Sequence, residues 1–190
     1  MQFFYLVEIA NRAPEGDYVE LGTFKGYTAR LIYRLMDQSR RLYLLDTYEG
    51  FDERDLPVEK KLYANDWHAG NFEPTSPEAV TAYVGGGSPP ANVVPIKGWF
   101  PDSFKGLEDH RWRFVHIDLD LYQPILTACD MLWPRLVPGG VMLIHDYGCY
   151  GFRANLAVDE FAAKIGQVPV PLADRWGSVA IIKPRFPYEG

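Results

Sequence analysis

The sequence predicts an α/β fold, a mostly parallel sheet with helices on both faces. Three observations predict it. Short apolar runs alternate with helix-period segments, the order that builds parallel βαβ units. Val141-Met142-Leu143-Ile144 is apolar at every position, as a strand covered on both faces must be. Four strand-like runs end in a carboxylate, at Glu20, Asp46, Asp118 and Asp146. In an open parallel sheet those ends border the crevice where ligands bind.

The elements follow in order. Asp17 to Leu21 is a first strand. Lys25 to Asp37 reads as a helix, with Thr28, Leu31, Ile32, Leu35 and Met36 on one face at i, i+3, i+4 spacing. Leu42 to Leu45 is a second strand, ending at Asp46. Residues 49–90 form an excursion or lid within the domain. Its first part, Glu49 to Tyr63, is rich in Asp, Glu and Lys and reads as solvated. The excursion holds one clear helix, with Ser76 as N-cap, Pro77 in the first turn and Gly85-Gly86-Gly87 as the stop. Asn92 to Lys97 and Phe114 to Ile117 are the third and fourth strands. Pro124 opens a helix that runs to about Leu136, and Pro138-Gly139-Gly140 makes the turn after it. Val141 to Ile144 is the fifth strand, and Asn155 to Ile165 is a helix. Val168 to Leu172 and Ser178 to Ile182 are two last strands that pair as a closing hairpin-like unit. No linker divides the chain, so residues 1–190 read as a single domain.

Composition excludes several classes. A chain of 190 residues with 47% hydrophobic and 23% charged residues is globular, not disordered. Nineteen Lys and Arg against 25 Asp and Glu leave a net charge of −6, which argues against a nucleic-acid partner. Cys129 and Cys149 are too few for a disulfide framework and lack metal-ligand spacing. No apolar run approaches the ~18 residues of a membrane span. Met1 to Ala10 lacks a basic start and carries Glu8, so it does not read as a signal peptide. A cytoplasmic protein with no membrane partner is the expectation. The aromatic fraction of 15% suits either stacking on a flat ligand or a bulky core.

The first strand runs into Glu20-Leu21-Gly22-Thr23-Phe24-Lys25-Gly26, an E-x-G-x-x-x-G turn. Gly22 permits a tight turn, and Gly26 permits close approach of the helix to a ligand or strand. The missing middle glycine argues against a nicotinamide-dependent reductase. Asp46, at the next strand end, is placed to accept both hydroxyls of a ribose. Together these point to a nucleoside cofactor without a pyrophosphate. Asp118 and Asp120, with His145 and Asp146, gather donors that suit Mg²⁺, Ca²⁺ or Mn²⁺. A metal there would bind a substrate hydroxyl and lower its pKa. The competing reading makes these carboxylates caps of the following helices and turns, and His145 a hydrogen-bonded structural residue. His116, inside the fourth strand, reads as a core or wall residue, His68 and His110 as solvated, and Cys129 as packing. Trp99-Phe100 suits adenine stacking or the core equally.

Seven stretches in one order carry a family resemblance. They are Gly16-Asp17-Tyr18-Val19-Glu20-Leu21-Gly22, Asp46-Thr47-Tyr48-Glu49-Gly50-Phe51, Asn71-Phe72 with Thr75-Ser76, Lys97-Gly98-Trp99-Phe100-Pro101-Asp102-Ser103, Asp118-Leu119-Asp120-Leu121-Tyr122, Leu136-Val137-Pro138-Gly139-Gly140 and His145-Asp146-Tyr147-Gly148. The chain resembles the macrocin O-methyltransferase family, the TylF-like enzymes. The resemblance implies a class I methyltransferase fold, Rossmann-like, with a seven-stranded sheet. It implies S-adenosylmethionine as methyl donor, a divalent cation (Mg²⁺ or Mn²⁺), and a hydroxyl of a sugar or natural product as small-molecule acceptor. Carried over by position, Glu20 and Gly22, with Gly26 in the same turn, would border the methionine and ribose. Asp46 would take the ribose hydroxyls, and Gly98 and Trp99 would lie near the adenine. Asp118 would be metal ligand and general base, with Asp146 a second ligand.

Two departures from the family pattern bear on function. His145 stands where the family has an acid, which fits Mn²⁺, Fe²⁺ or Zn²⁺ better than Mg²⁺, or marks a weakened site or none. Sixteen residues precede Asp17, where the family has N-terminal helices that help to cover the substrate. A homo-oligomer whose partner subunit completes that cover is one expectation. Metal-independent transfer and a noncatalytic S-adenosylmethionine-binding module are the other readings.

Overall fold

Each strand forms where an apolar run escapes helical periodicity. In the computed structural model, which describes residues 2–62, 67–72, 74–149 and 153–185, these are β1 (Asp17–Leu21), β2 (Leu42–Asp46), β3 (Val93–Lys97), β4 (Trp112–Ile117), β5 (Leu136–Ile144), β6 (Val170–Pro171) and β7 (Val179–Ile182). The helices are α1 (Gln2–Asn11), α2 (Tyr27–Leu35), α3 (Leu56–Leu62), α4 (Pro77–Val84), α5 (Tyr122–Leu132) and α6 (Ala154–Ile165). The strands form one seven-stranded sheet in the order β3-β2-β1-β4-β5-β7-β6. β1 pairs parallel with β2 and β4, β2 with β3, and β4 with β5. β7 runs antiparallel to both β5 and β6, so the last two strands do close the sheet as a hairpin. The winding reverses between β1 and β4. The crevice beyond their C-terminal ends is the ligand position such a sheet creates.

Period-2 alternation divides the core into two layers. Val19, Leu21, Val115, Ile117, Met142 and Ile144 meet α5 and α6 through Ile125, Cys129, Val158 and Phe161. Tyr18, Leu44, Phe114 and Leu143 meet α1, α2 and α4 through Val7, Ile32 and Val80 on the other face. By the same alternation Glu20 and His116 fall on the α1 side of the sheet, and both are buried. The α4 boundary is as expected: the Ser76 hydroxyl accepts the Ala79 N–H at 3.1 Å and Pro77 occupies the first turn.

The structure differs from the sequence reading at several places. The helix expected to run to about Leu136 ends at Leu132, and Leu136 already opens β5. Residues before Asp17 include a helix, α1, whose Leu6, Val7 and Ala10 are buried against β4 and β5. The first part of the excursion is not wholly solvated. It contains α3, and the buried Glu59 accepts the Tyr122 N–H at 3.0 Å, capping α5 from a distance. Pro138-Gly139-Gly140 is no turn but a bulge within β5. The register passes from Trp112↔Leu136 to Phe114↔Val141, leaving residues 137–140 opposite Arg113 alone. Among the described residues no helix is long and apolar enough to cross a membrane.

Candidate active site

The C-terminal ends of β1, β2, β4 and β5 open into a cleft of about 640 Å³. Among the described residues five non-glycine positions have left-handed backbone: Phe24, Tyr48, Phe72, Asp120 and Asp146, with φ between 48° and 72°. All five line this cleft. Strained backbone concentrates where function over-determines geometry. The coincidence marks the cleft independently of its residue types.

The turn after β1 forms one wall. Gly22, at φ +79°, lies so close to β4 that a Cβ would stand 1.8 Å from the Asp118 carbonyl oxygen. No other residue fits there, and the contact brings the first turn against Asp118. Asp46 ties this turn to β2. Its Oδ2 accepts the N–H groups of Thr23 (2.7 Å) and Phe24 (2.8 Å), and its Oδ1 accepts that of Tyr48 (2.6 Å). A carboxylate offers about four lone-pair positions. Three are taken by backbone N–H groups, and the Thr47 hydroxyl stands 3.4 Å from Oδ1, so few remain for the hydroxyls of a ligand. Gly98 and Trp99 also line the cleft. The Gly98 N–H donates to the Asp46 carbonyl at 2.9 Å. The Trp99 Nε1–H donates to Asp55 Oδ2 at 2.9 Å, and the Arg54 guanidinium sits 3.9 Å from the indole centroid. Burial pushes the Asp55 carboxyl up to about 6, against the Trp99 hydrogen bond.

Two residues expected in this wall are elsewhere. Glu20 is fully buried on the α1 face, 2.9 Å from His116 Nδ1, and does not line the cleft. The reason is strand alternation: Val19 and Leu21 point to the α5 and α6 layer, so Glu20 points away from it. Burial raises Glu20 to about 7 despite the pull of His116. Gly26 also lies off the cleft. Its close approach is to α4, where a Cβ would stand 3.0 Å from Val80 Cγ1, so it serves helix packing, not ligand approach.

The opposite wall carries the acids. Asp118, His145 and Asp146 each offer one donor atom, all within 4.8 Å of one another. His145 Nδ1 is 3.0 Å from an oxygen of each aspartate. Burial would lower the imidazole pKa, but the two carboxylates outweigh it and raise it to about 11. Asp120, left-handed and also on the cleft, is held well above the ordinary carboxylate range by burial and then by the Asp118 and Asp146 charges. A cation would have to displace the ring proton, and the three donor atoms are close enough together to hold one. The mixed nitrogen and oxygen set suits Mn²⁺, Fe²⁺ or Zn²⁺ over Mg²⁺.

The third wall comes from the excursion. Phe51, Trp67, Asn71, Phe72 and Thr75 line the cleft, and Phe72 packs edge-on against Phe24 (5.5 Å) and Phe51 (5.1 Å). Trp176, from the β6–β7 hairpin, completes it. Sequence reasoning missed Asp55, Trp67 and Trp176. The dense aromatic spacing of the excursion was the available signal for Trp67. Of the other histidines, His116 is the expected core residue. His110 is only partly solvated: it stacks on Trp112 and lies 3.0 Å from the Tyr43 hydroxyl.

Comparison with known proteins agrees with this geometry. Residues 19–147 match the family described as a methyltransferase domain. The chain is 28% identical over 171 residues to the 8-demethyl-8-(2,3-dimethoxy-alpha-L-rhamnosyl)-tetracenomycin-C 4'-O-methyltransferase of Streptomyces olivaceus, covering 85% of this chain and 64% of that protein. It is 27% identical over 140 residues to the mycinamicin III 3''-O-methyltransferase of Micromonospora griseorubida, covering 70% and 55%. The chain thus spans less than two thirds of the length of these relatives. Among solved structures, the O-methyltransferase NovP superposes with a TM-score of 0.75 at 23% identity, covering 97% of this chain and 78% of that one, and shares its fold.

Proposed function

This chain belongs to the methyltransferase-domain family, and from that premise we propose that it methylates a hydroxyl of a small molecule, a sugar or related natural product, using S-adenosylmethionine. The observation that carries the proposal is the meeting of two walls: a nucleoside-type turn held by Asp46 faces Asp118, His145 and Asp146 across one cleft. The donor supplies an electrophilic methyl on a positively charged sulfur. The chain's part is to hold the donor along Gly22, Asp46, Gly98 and Trp99 and to present the acceptor oxygen in line. As the oxygen–carbon bond forms and the carbon–sulfur bond breaks, the hydroxyl proton passes to Asp118 and sulfur leaves as a neutral thioether. Asp118, His145 and Asp146 would hold a divalent cation, which supplies Lewis-acid activation of the hydroxyl. Phe51, Trp67 and Phe72, from segment 49–90, act as the lid that excludes water from the transfer.

Calorimetry with S-adenosylhomocysteine, in EDTA and then with added Mg²⁺ or Mn²⁺, tests the donor and metal together. Micromolar binding supports the donor reading, and absence of binding in every condition defeats it. An unchanged response to chelator, in binding and in turnover, would favour metal-independent transfer. Asp118→Asn is expected to abolish transfer to any acceptor while donor binding survives. Full activity in that variant would remove Asp118 as the proton acceptor.

A further inference from the structure

We propose that Trp176, at the tip of the β6–β7 hairpin, is the platform on which a sugar ring of the acceptor stacks. This rests on the methyl-transfer reading and adds to it the residue that holds the acceptor's sugar ring. The indole lines the cleft while remaining 45% exposed. Its centroid lies 6.5 Å from that of His145, with the rings inclined at 48°. A large aromatic ring left open beside the acid cluster is a surface awaiting a ligand.

The hairpin tip is built to fix this ring. Asp174 Oδ1 accepts three successive N–H groups, from Trp176 (3.1 Å), Gly177 (2.6 Å) and Ser178 (3.0 Å). Burial would raise the Asp174 carboxyl, but these bonds hold it below the usual range. The Gly148 N–H donates to the carbonyls of Trp176 (3.2 Å) and Gly177 (3.1 Å). The two glycine backbones touch, so a Cβ on Gly177 would stand 2.7 Å from Gly148 Cα. Gly148 follows directly on the strand end that carries His145 and Asp146. The tip is therefore locked to the acid cluster and does not hang free. Arg175 braces the indole, its guanidinium 5.1 Å from the ring centroid.

The chemistry selects a pyranose. A sugar ring has an apolar C–H face and a rim of hydroxyls. The indole suits the face, and the Asp118, Asp120 and Asp146 side chains, all on the same cleft, offer polar partners to the rim. A flat aromatic acceptor would use the indole but carries fewer hydroxyls to meet the polar side of the cleft.

The probe is methyl α-L-rhamnopyranoside, added to protein labelled with ¹⁵N at tryptophan and saturated with S-adenosylhomocysteine. The indole N–H signal of Trp176 is assigned by its loss in Trp176→Phe. It is expected to shift saturably with the glycoside. Trp176→Ala is expected to weaken glycoside binding by about fivefold or more, with Trp176→Phe between it and the native protein. Affinity for S-adenosylhomocysteine should stay within about twofold, which also shows that the variants fold. A glycoside that binds without moving the Trp176 signal, or equally well to Trp176→Ala, overturns the platform. A shift caused by catechol and not by the glycoside overturns the sugar assignment. Failure to bind S-adenosylhomocysteine at all defeats the methyl-transfer reading and this inference with it.

Discussion

Replacing Asp46 by Asn removes one charge and keeps the shape, and its consequence follows from three hydrogen bonds. Oδ2 holds the N–H groups of Thr23 and Phe24, and Oδ1 holds that of Tyr48. An amide has only one acceptor oxygen. If it serves Thr23 and Phe24, the amide NH₂ faces the Tyr48 N–H, donor against donor. The stranded N–H costs about 1–3 kcal/mol, and the two remaining bonds lose their charge assistance. A total of about 2–4 kcal/mol is expected, less wherever water reaches Tyr48. With an m-value of about 2 kcal/mol per molar for urea, the unfolding midpoint should fall by about 1–2 M. The measurement is urea unfolding without ligand, followed by circular dichroism. A residue that served only to bind ribose would leave the ligand-free midpoint unmoved. A shift below about 0.3 M would therefore refute the clamp and return Asp46 to a purely ligand-binding role.

Other expected outcomes are briefer. Glu20 is held near 7 in the folded protein, above its usual 4.5, so the folded state binds the extra proton. Stability should fall as pH rises from about 4.5 to 7, by at most about 3 kcal/mol, and Glu20→Gln should flatten that dependence. Urea midpoints at pH 5 and pH 8 check this, and an equal slope in both proteins would count against it. Gly26→Ala places a side chain at φ +80° and 3.0 Å from Val80. It should cost about 1–2 kcal/mol in thermal unfolding without weakening S-adenosylhomocysteine binding. A weakened ligand with unchanged stability would put Gly26 back in the cleft. Phe161→Ala, in the fully buried α6 layer, should cost about 3–5 kcal/mol by the same method, and a loss under 1 kcal/mol would show that the layer collapses to fill the gap.

The parallel core was legible because strands covered on both faces are largely apolar, as in the Leu42–Leu45 run of β2 and the Val141–Ile144 run of β5. The strand-end acids were legible for the same reason: Asp118 and Asp146 stand where the apolar runs stop. Glu20 was misplaced although the signal was present. Its neighbours Val19 and Leu21 alternate against Tyr18, and alternation alone assigns Glu20 to the α1 face. The Pro138-Gly139-Gly140 bulge reads as a turn locally, because only the pairing with β4 shows the strand resuming on both sides of it. α1 carries an apolar stretch that is too uniform for periodicity to identify. The placement of Trp176 depends on the Gly148–Gly177 contact between segments far apart in sequence.

The left-handed residues connect these levels. Asp120 and Asp146 tolerate that conformation, as short polar side chains do, but Phe24, Tyr48 and Phe72 do not. Strain of about 1 kcal/mol or more at each aromatic position must be held by something in the fold. For Phe24 and Tyr48 the holder is Asp46, whose carboxylate accepts both of their N–H groups. For Phe72 the contacts are aromatic, to Phe24 and Phe51. One carboxylate at the end of β2 thus sets the β1 turn, the start of the excursion and, through Phe24, the aromatic wall beyond it. Loss of that charge should loosen all three together. Its signature would be faster amide exchange at Phe24, Tyr48 and Phe72 in Asp46→Asn, with exchange in the β4 and β5 core following only the global loss of stability. Acceleration confined to Tyr48 would show that the walls are held separately.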